Sequence, residues 1–413
     1  MTAETTDAPT ARALRDALAS GQLDLERTIE ELLEYARAAD ARLHLFASLH
    51  EGAIRAQVAE RLELRRSGQP LPPLWGVPVA VKDIIDTTDF PTECGSPLYA
   101  GRYPVADATV VRRLRGAGAI IFSKTVTTEF TIYYPGPTRI TPSSRPGGSS
   151  SGSAAVAAGV VPVAVGTQTN GSVLRPASIC GVYGFKPSRG ELPRTGTFPQ
   201  SPSLDELGLF ARSVDDLALV GECLTGDDGH DPALAGPAPR RWFDVANAAP
   251  PLPPRFAFVR TPWWGRMEPQ AREDCEADSD QDRAIDERME PQAREACEAF
   301  VQQMQGLVEE VPLPDVVQRA GVARHRQRRR TRAGAAPRVP SPGRCPQSHA
   351  TCAPAPRARH PRYRLPAGVR PHSACGGGFE EYFDRNDAIQ TWAALGAAPR
   401  GLDSAGDPIK QTE

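Results

Sequence analysis

Between Arg145 and Arg175 the chain carries two serine-bearing glycine turns, Gly147-Gly148-Ser149-Ser150-Ser151-Gly152-Ser153 and Gly166-Thr167-Gln168-Thr169-Asn170-Gly171-Ser172, joined by a short run of small and apolar residues. That run constrains the structure severely. Ser153–Gly159 reads as a buried helix packed closely on its neighbours, and Val160–Gly166 as a core strand that delivers the second turn. A serine on a turn between buried elements is rigidly held. Glycines let backbone N–H groups approach a reacting atom, where they can meet an oxyanion. Taken alone, Gly147–Ser153 also suits a flexible linker; the apolar run directly after it argues for the folded reading.

A serine hydroxyl is a weak nucleophile until a base takes its proton. Of the seven histidines, His44 and His50 lie in a helical N-terminal region, His230 in a loop and the other four in an Arg/Pro-rich stretch, so none is an attractive partner. Lys82 is a better one. It ends Leu74-Trp75-Gly76-Val77-Pro78-Val79-Ala80-Val81, a valine-rich apolar run with the pattern of a buried strand. Burial disfavours the ammonium form, so the amine can serve as a base. Each residue has a plainer reading as well: Lys82 as a strand-end surface lysine, and Asn170-Gly171-Ser172 as a glycosylation sequon.

Residues 10–65 predict amphipathic helices, with Leu14, Leu18, Leu23, Leu25, Ile29, Leu32, Leu33 and Tyr35 at roughly helical spacing. Asp107 is expected to cap a helix through Arg115, which Gly116-Ala117-Gly118 ends before a strand at Ala119–Phe122.

The ordered blocks of the chain resemble the amidase signature family, whose hydrolases use a Ser–cis-Ser–Lys triad. The resemblance runs from about residue 20 to 260. It is carried by Gly76-Val77-Pro78-Val79-Ala80-Val81-Lys82-Asp83, Asp107-Ala108-Thr109-Val110-Val111, Gly118-Ala119-Ile120-Ile121-Phe122-Ser123-Lys124-Thr125 and both serine turns. Cys180-Gly181-Val182-Tyr183-Gly184-Phe185-Lys186-Pro187-Ser188-Arg189-Gly190, Ser203-Leu204-Asp205-Glu206-Leu207-Gly208 and Ala211-Arg212-Ser213-Val214 complete it. The resemblance implies an α/β fold, a single amidase-signature domain with a mixed central β-sheet covered by helices. It implies Ser172 as nucleophile, Ser149 as cis-serine relay and Lys82 as base, with backbone N–H groups of Thr169, Asn170, Gly171 and Ser172 as the oxyanion hole. The implied reaction is hydrolysis of a carboxamide C–N bond through a seryl acyl-enzyme, without metal or cofactor, on a small-molecule amide. Arg175, in Ser172-Val173-Leu174-Arg175-Pro176-Ala177, is either a structural ion-pair former or a clamp for a substrate carboxylate, as the malonamidase-like branch pattern suggests. Two alternatives stay open: the glutaminase (A-type) subunit of a tRNA-dependent amidotransferase, and a defective, non-catalytic copy.

The C-terminal third departs from this pattern. Val316 to Phe379 holds no Asp, Glu or Lys but 14 arginines, so the formal charge of −2 for the whole chain hides −16 outside this stretch. Such tracts can bind nucleic acid through phosphates. A shifted reading frame in GC-rich coding DNA also yields Arg, Pro, Ala, Gly and His in these proportions, and it is the favoured reading because Phe379–Ile409 again resembles the family. Met267–Glu273 recurs as Met289–Glu295, a local duplication. The expected organisation is therefore an N-terminal helical region (1–70), a catalytic core (71–260), a linker or helical segment (261–317), an Arg/Pro-rich segment (318–376) and a family-like remnant (377–413), with the C-terminal part incomplete. No apolar run is long enough for a bilayer and no signal peptide opens the chain. Its eight cysteines lack metal-ligand spacing. A cytoplasmic protein is expected, with no membrane and no nucleic acid among its partners and a homodimer left open.

Trypsin is expected to cut first among Arg324–Arg332, leaving a resistant N-terminal fragment that ends near residue 320. Resistance in this tract equal to that of Ser149–Ser172 would favour the nucleic-acid reading over the frameshift.

Overall fold

The first helix, α1 (Ala11–Ser20), begins where Thr10 accepts a hydrogen bond from the Ala13 N–H and stops at Gly21 in the left-handed region. Asp24 starts α2 (Leu25–Leu43) in the same way, accepting from the Arg27 N–H at 2.8 Å. Leu14 and Leu18 of α1, then Leu25, Ile29, Leu33 and Ala36 of α2, form one buried stripe. Leu23 departs from the predicted line: it lies in the turn between the helices, and Tyr35 is largely exposed, with its hydroxyl donating to Ala158 O. The computed structural model describes residues 8–132, 136–140, 150–234, 240–249, 252–260, 308–312 and 388–390.

After β1 (Phe46–Ser48) and α3 (Glu51–Arg66), the chain enters β2 (Pro78–Lys82) and then, past α4 (Thr109–Gly116), β3 (Ile120–Thr125). The expected Asp107 cap of α4 is not made. Ala108 holds the N-cap position, and the Asp107 carboxylate instead accepts from the Thr88 N–H and Arg115 Nε, because a loop donor and a guanidinium compete for it. Gly118 (φ +90°) turns the chain into β3; a Cβ there would stand 2.9 Å from Trp75 Cα, so only glycine fits.

The helix α5 (Gly152–Ala157) and strand β4 (Val163–Gln168) follow, then α6 (Leu174–Cys180), β5 (Tyr183–Phe185), β6 (Glu206–Ala211), α7 (Val214–Leu224) and α8 (Trp242–Asn247). Six strands form one mixed sheet in the order β1-β3-β2-β4-β6-β5; β2 runs parallel to β3 and β4, and the other pairings are antiparallel. Every residue of β2, β3, β4 and β6 is buried, which explains their near-continuous apolar sequences. A Cβ on Gly152 would stand 2.8 Å from Ala164 Cβ, so the small residues of α5 let it sit directly on the sheet. A second unit contains β7 (Phe256–Arg260), β8 (Val308–Pro312) and β9 (Ala388–Gln390), a parallel sheet in the order β8-β7-β9. The duplicated Met267 and Met289 segments, the Arg/Pro-rich 318–376 segment and most of the 377–413 remnant lie outside the described residues.

The start of α1 is tied to α7 by one carboxylate. Asp216, fully buried on α7, accepts from the Ala11 and Arg12 N–H groups at 2.9 and 3.0 Å, meeting two of the donors that the start of α1 leaves unpaired. Asp216→Ala is expected to cost about 1–3 kcal/mol in urea unfolding, since both donors then lose their acceptor. Asp216→Asn, which keeps one acceptor oxygen, should lose less.

Candidate active site

Lys82 is the last residue of β2 and is fully buried. Its Nζ donates to Thr167 Oγ1 at 2.8 Å. Thr167 stands near the end of β4, and because β2 and β4 are parallel neighbours their C-terminal ends lie at the same edge of the sheet. Burial pulls the Lys82 amine down from 10.5 to about 7, against the opposing influence of Asp205 and Cys94. A large share of it is therefore neutral near pH 7.

The second serine turn is anchored on both sides. Gln168 Oε1 accepts from the Val173 and Leu174 N–H groups at 2.9 and 3.0 Å, pinning the start of α6. Thr169 Oγ1 donates to Asp205 Oδ1, and Asp205 Oδ2 accepts from the Gln200 and Ser201 N–H groups. Within this frame Thr169, Gly171 and Ser172 are half-buried and Asn170 is exposed. Among the described residues, the N–H groups of Asn170, Gly171 and Ser172 donate to no acceptor. Ser149 lies outside the described residues, but Ser150, directly after it, donates from Oγ to Thr167 O at 3.3 Å. Thr167 thus touches both Lys82 and the end of the first turn. The Arg175 guanidinium folds back over the second turn: a Cβ on Gly171 would stand 2.5 Å from Arg175 Nη2. Burial lowers its pKa.

Three features of the neighbourhood escape a reading of the sequence. A cavity of about 330 Å³ opens beside Thr167 and Thr169, walled by Ile84, Phe198, Leu207 and His230 among others. At its rim Phe130 and Thr131 adopt left-handed backbone (φ 47° and 60°), held by aromatic contacts of Phe130 with Tyr99 and Phe198 and by Thr131 Oγ1 donating to Gln200 Oε1. Next to Asp205, the Glu206 carboxyl is only 3% exposed, and neither oxygen has a hydrogen-bond partner among the described residues. Burial pushes it up to about 7; Arg194, Lys186 and the nearby Gly190 N–H, which does not reach hydrogen-bond geometry, pull it back only in part. Among the described residues, the other two histidines serve elsewhere: His44 ends α2 in left-handed backbone, and His50 Nδ1 lies 3.0 Å from Asp89 O.

A family model described as Amidase matches residues 27–302. The A-type subunit of glutamyl-tRNA(Gln) amidotransferase from Chloroflexus aggregans (strain MD-66 / DSM 9485) is 40% identical over 246 residues, covering 57% of this chain and 50% of the relative. AtzE, a component of the 1-carboxybiuret hydrolase of Pseudomonas sp. (strain ADP), is 41% identical over 233 residues, covering 53% of this chain and 50% of the relative. The chain matches only about half the length of these relatives. Among solved structures, the peptide amidase of Stenotrophomonas maltophilia superposes with a TM-score of 0.63 at 28% identity, covering 77% of this chain and 65% of that one.

A carboxyl whose folded pKa is raised holds its proton while the unfolded chain has already lost it, so stability falls as pH rises from the ordinary carboxyl range through about 7. Comparing urea midpoints at pH 5 and pH 8, Glu206→Gln should gain on the wild type at the higher pH. Parallel pH dependence of the two proteins would show that Glu206 is ionised throughout.

Proposed function

Because this chain belongs to the amidase family, we propose that it hydrolyses the C–N bond of a small carboxamide, with Ser172 as nucleophile, Ser149 as relay and Lys82 as base. The observation that carries the reading is the buried Lys82 amine, drawn down to about 7 at the edge of the sheet where β4 delivers the second turn. In the proposed sequence, neutral Lys82 takes the proton of Ser149 as Ser149 takes that of Ser172, and Ser172 Oγ bonds to the carbonyl carbon. The resulting oxyanion is met by the N–H groups of the 169–172 turn, among them those of Asn170 and Gly171, which donate to no acceptor among the described residues. As the C–N bond breaks, Ser149 returns a proton to the leaving amine and is reprotonated by Lys82. Water then attacks the acyl-Ser172 ester, losing a proton to Ser149 and Lys82; as the bond to Ser172 Oγ breaks, that proton returns through Ser149 to Ser172, and the carboxylic acid leaves. Arg175 packs on this turn and is the candidate for holding a substrate carboxylate.

A second reading is favoured by one observation. The relative from Chloroflexus aggregans is the A-type component of an amidotransferase, and a chain of that kind would release ammonia from glutamine in company with a partner protein. Glutaminase activity that appears only with such a partner would support it over stand-alone hydrolysis.

Ser172→Ala in the 413-residue chain is expected to abolish amide hydrolysis and labelling by a fluorophosphonate. Lys82→Arg should be about as inactive as Lys82→Ala, since arginine keeps its proton at any usable pH. In the wild type, kcat/KM should rise with pH through about 7 as Lys82 loses its proton. Activity of Lys82→Arg near the wild-type level would mean that charge, and not proton transfer, is needed at this position.

A further inference from the structure

The chain contains only four lysines, against 48 basic side chains in all, and two of the four are completely buried on neighbouring strands. Lys82 pairs with Thr125 and Val81 with Lys124 across β2 and β3, so alternation directs the two lysines to opposite faces of the sheet. Their surroundings differ in kind. Lys124 Nζ has three acceptors for its three protons: Ile85 O at 2.5 Å, Thr92 Oγ1 at 2.6 Å and Thr87 Oγ1 at 3.3 Å. Asp83 Oδ1 lies 3.9 Å away. That set fits an ammonium, because a neutral amine has only two N–H donors.

All of these partners belong to one segment, residues 83–92, which begins directly after Lys82. The same segment is stitched onward. The Asp83 carboxylate accepts from the Glu93 and Gly95 N–H groups, and the N–H of Cys94, in left-handed backbone, donates to Asp83 O. The Asp86 N–H donates to Gly196 O and the Phe198 N–H to Ile84 O, which fastens the cavity wall to the same segment. Deleting the Lys124 charge would leave Thr92 Oγ1 without a donor among the described residues and Ile85 O with only the Thr92 hydroxyl at 3.4 Å, and would loosen the chain beside Lys82.

We propose that Lys124 is the positioning residue of this site: from the opposite face of the sheet, its buried ammonium pins the segment after Lys82 and thereby keeps water from the Lys82 amine. The proposal rests on the reading of Lys82 as the base only for its catalytic consequence. Among the described residues, the charged and titratable groups acting on Lys82 are Asp205 and Cys94, and those acting on Lys124 are Asp83, Asp86, Cys94 and Arg102. Since burial is the main cause of the lowered Lys82 value and Lys124 is not among the charges that move it, an upward shift reports water admitted to the amine.

The test is a titration of the full-length protein carrying ¹³Cε/¹⁵Nζ-labelled lysine, whose four signals are separable by NMR, with Lys82→Arg identifying the signal of interest. In Lys124→Met the Lys82 midpoint should rise by about one pH unit, which lowers its neutral fraction at pH 7 about five-fold. On a simple primary amide such as propionamide, kcat should fall by about the same factor at pH 7, far less at pH 9, with KM little changed. A folded Lys124→Met protein with an unmoved Lys82 midpoint overturns the proposal, because a purely structural lysine would lower the melting temperature without shifting that titration. If Lys124→Met does not fold, Thr92→Val, which removes one acceptor, decides by the same midpoint: a smaller upward shift supports the proposal and no shift overturns it. A wild-type chain that turns over no amide, yet shows the Lys82 shift, retires the amidase reading and leaves this one standing.

Discussion

The parallel pairing of β2 with β4 is the constraint on which the candidate site depends. Parallel neighbours end at the same edge of a sheet, so a lysine closing one strand and a glycine turn closing the other meet without any long-range adjustment of loops. The pairing is reinforced on its far side by β6, whose antiparallel register sets Leu207 opposite Thr167 and Glu206 opposite Gln168. That register brings Asp205, one residue before the strand, within reach of Thr169. Lys82, the turn and the carboxylate that anchors the turn are thus set by three adjacent strands that are buried along their whole length.

A buried lysine is an unfavourable component for a fold, and this one resolves the problem in two opposite ways. Lys82 is fully buried, and desolvation outweighs the pull of Asp205 and Cys94 and moves it toward the neutral form. Lys124 is supplied with three oxygen acceptors and a carboxylate 3.9 Å away; burial still lowers it, to about 8, but less far. Identical side chains one residue out of phase across β2 and β3 therefore meet different electrostatic surroundings, decided by which face of the sheet each one enters.

Much of this was legible in the sequence where a single segment carried the signal. The apolar run ending in Lys82 announced both a buried strand and a perturbed amine, and the small residues after Ser153 announced a helix lying close on the sheet. Ala119–Ser123 running into Lys124 is the same pattern, and read consistently it points to a second buried lysine. What could not be read depends on partners far away in the chain. Asp107 looked like a cap because it precedes α4, yet Thr88 and Arg115 draw its carboxylate away. Asp205 reaches a threonine 36 residues earlier, a relation that no local spacing encodes. Glu206 offered only its type, which ordinarily means solvent; its burial follows from β6 lying between β4 and β5.

The clasp between Asp216 and the start of α1 bears on how the chain comes into being. The acceptor that completes the first helix is made 205 residues after Ala11. At ribosomal speeds of roughly 5–20 residues per second, the first helix waits on the order of 10–40 s for it. During that interval α1 has no α7 to pack on.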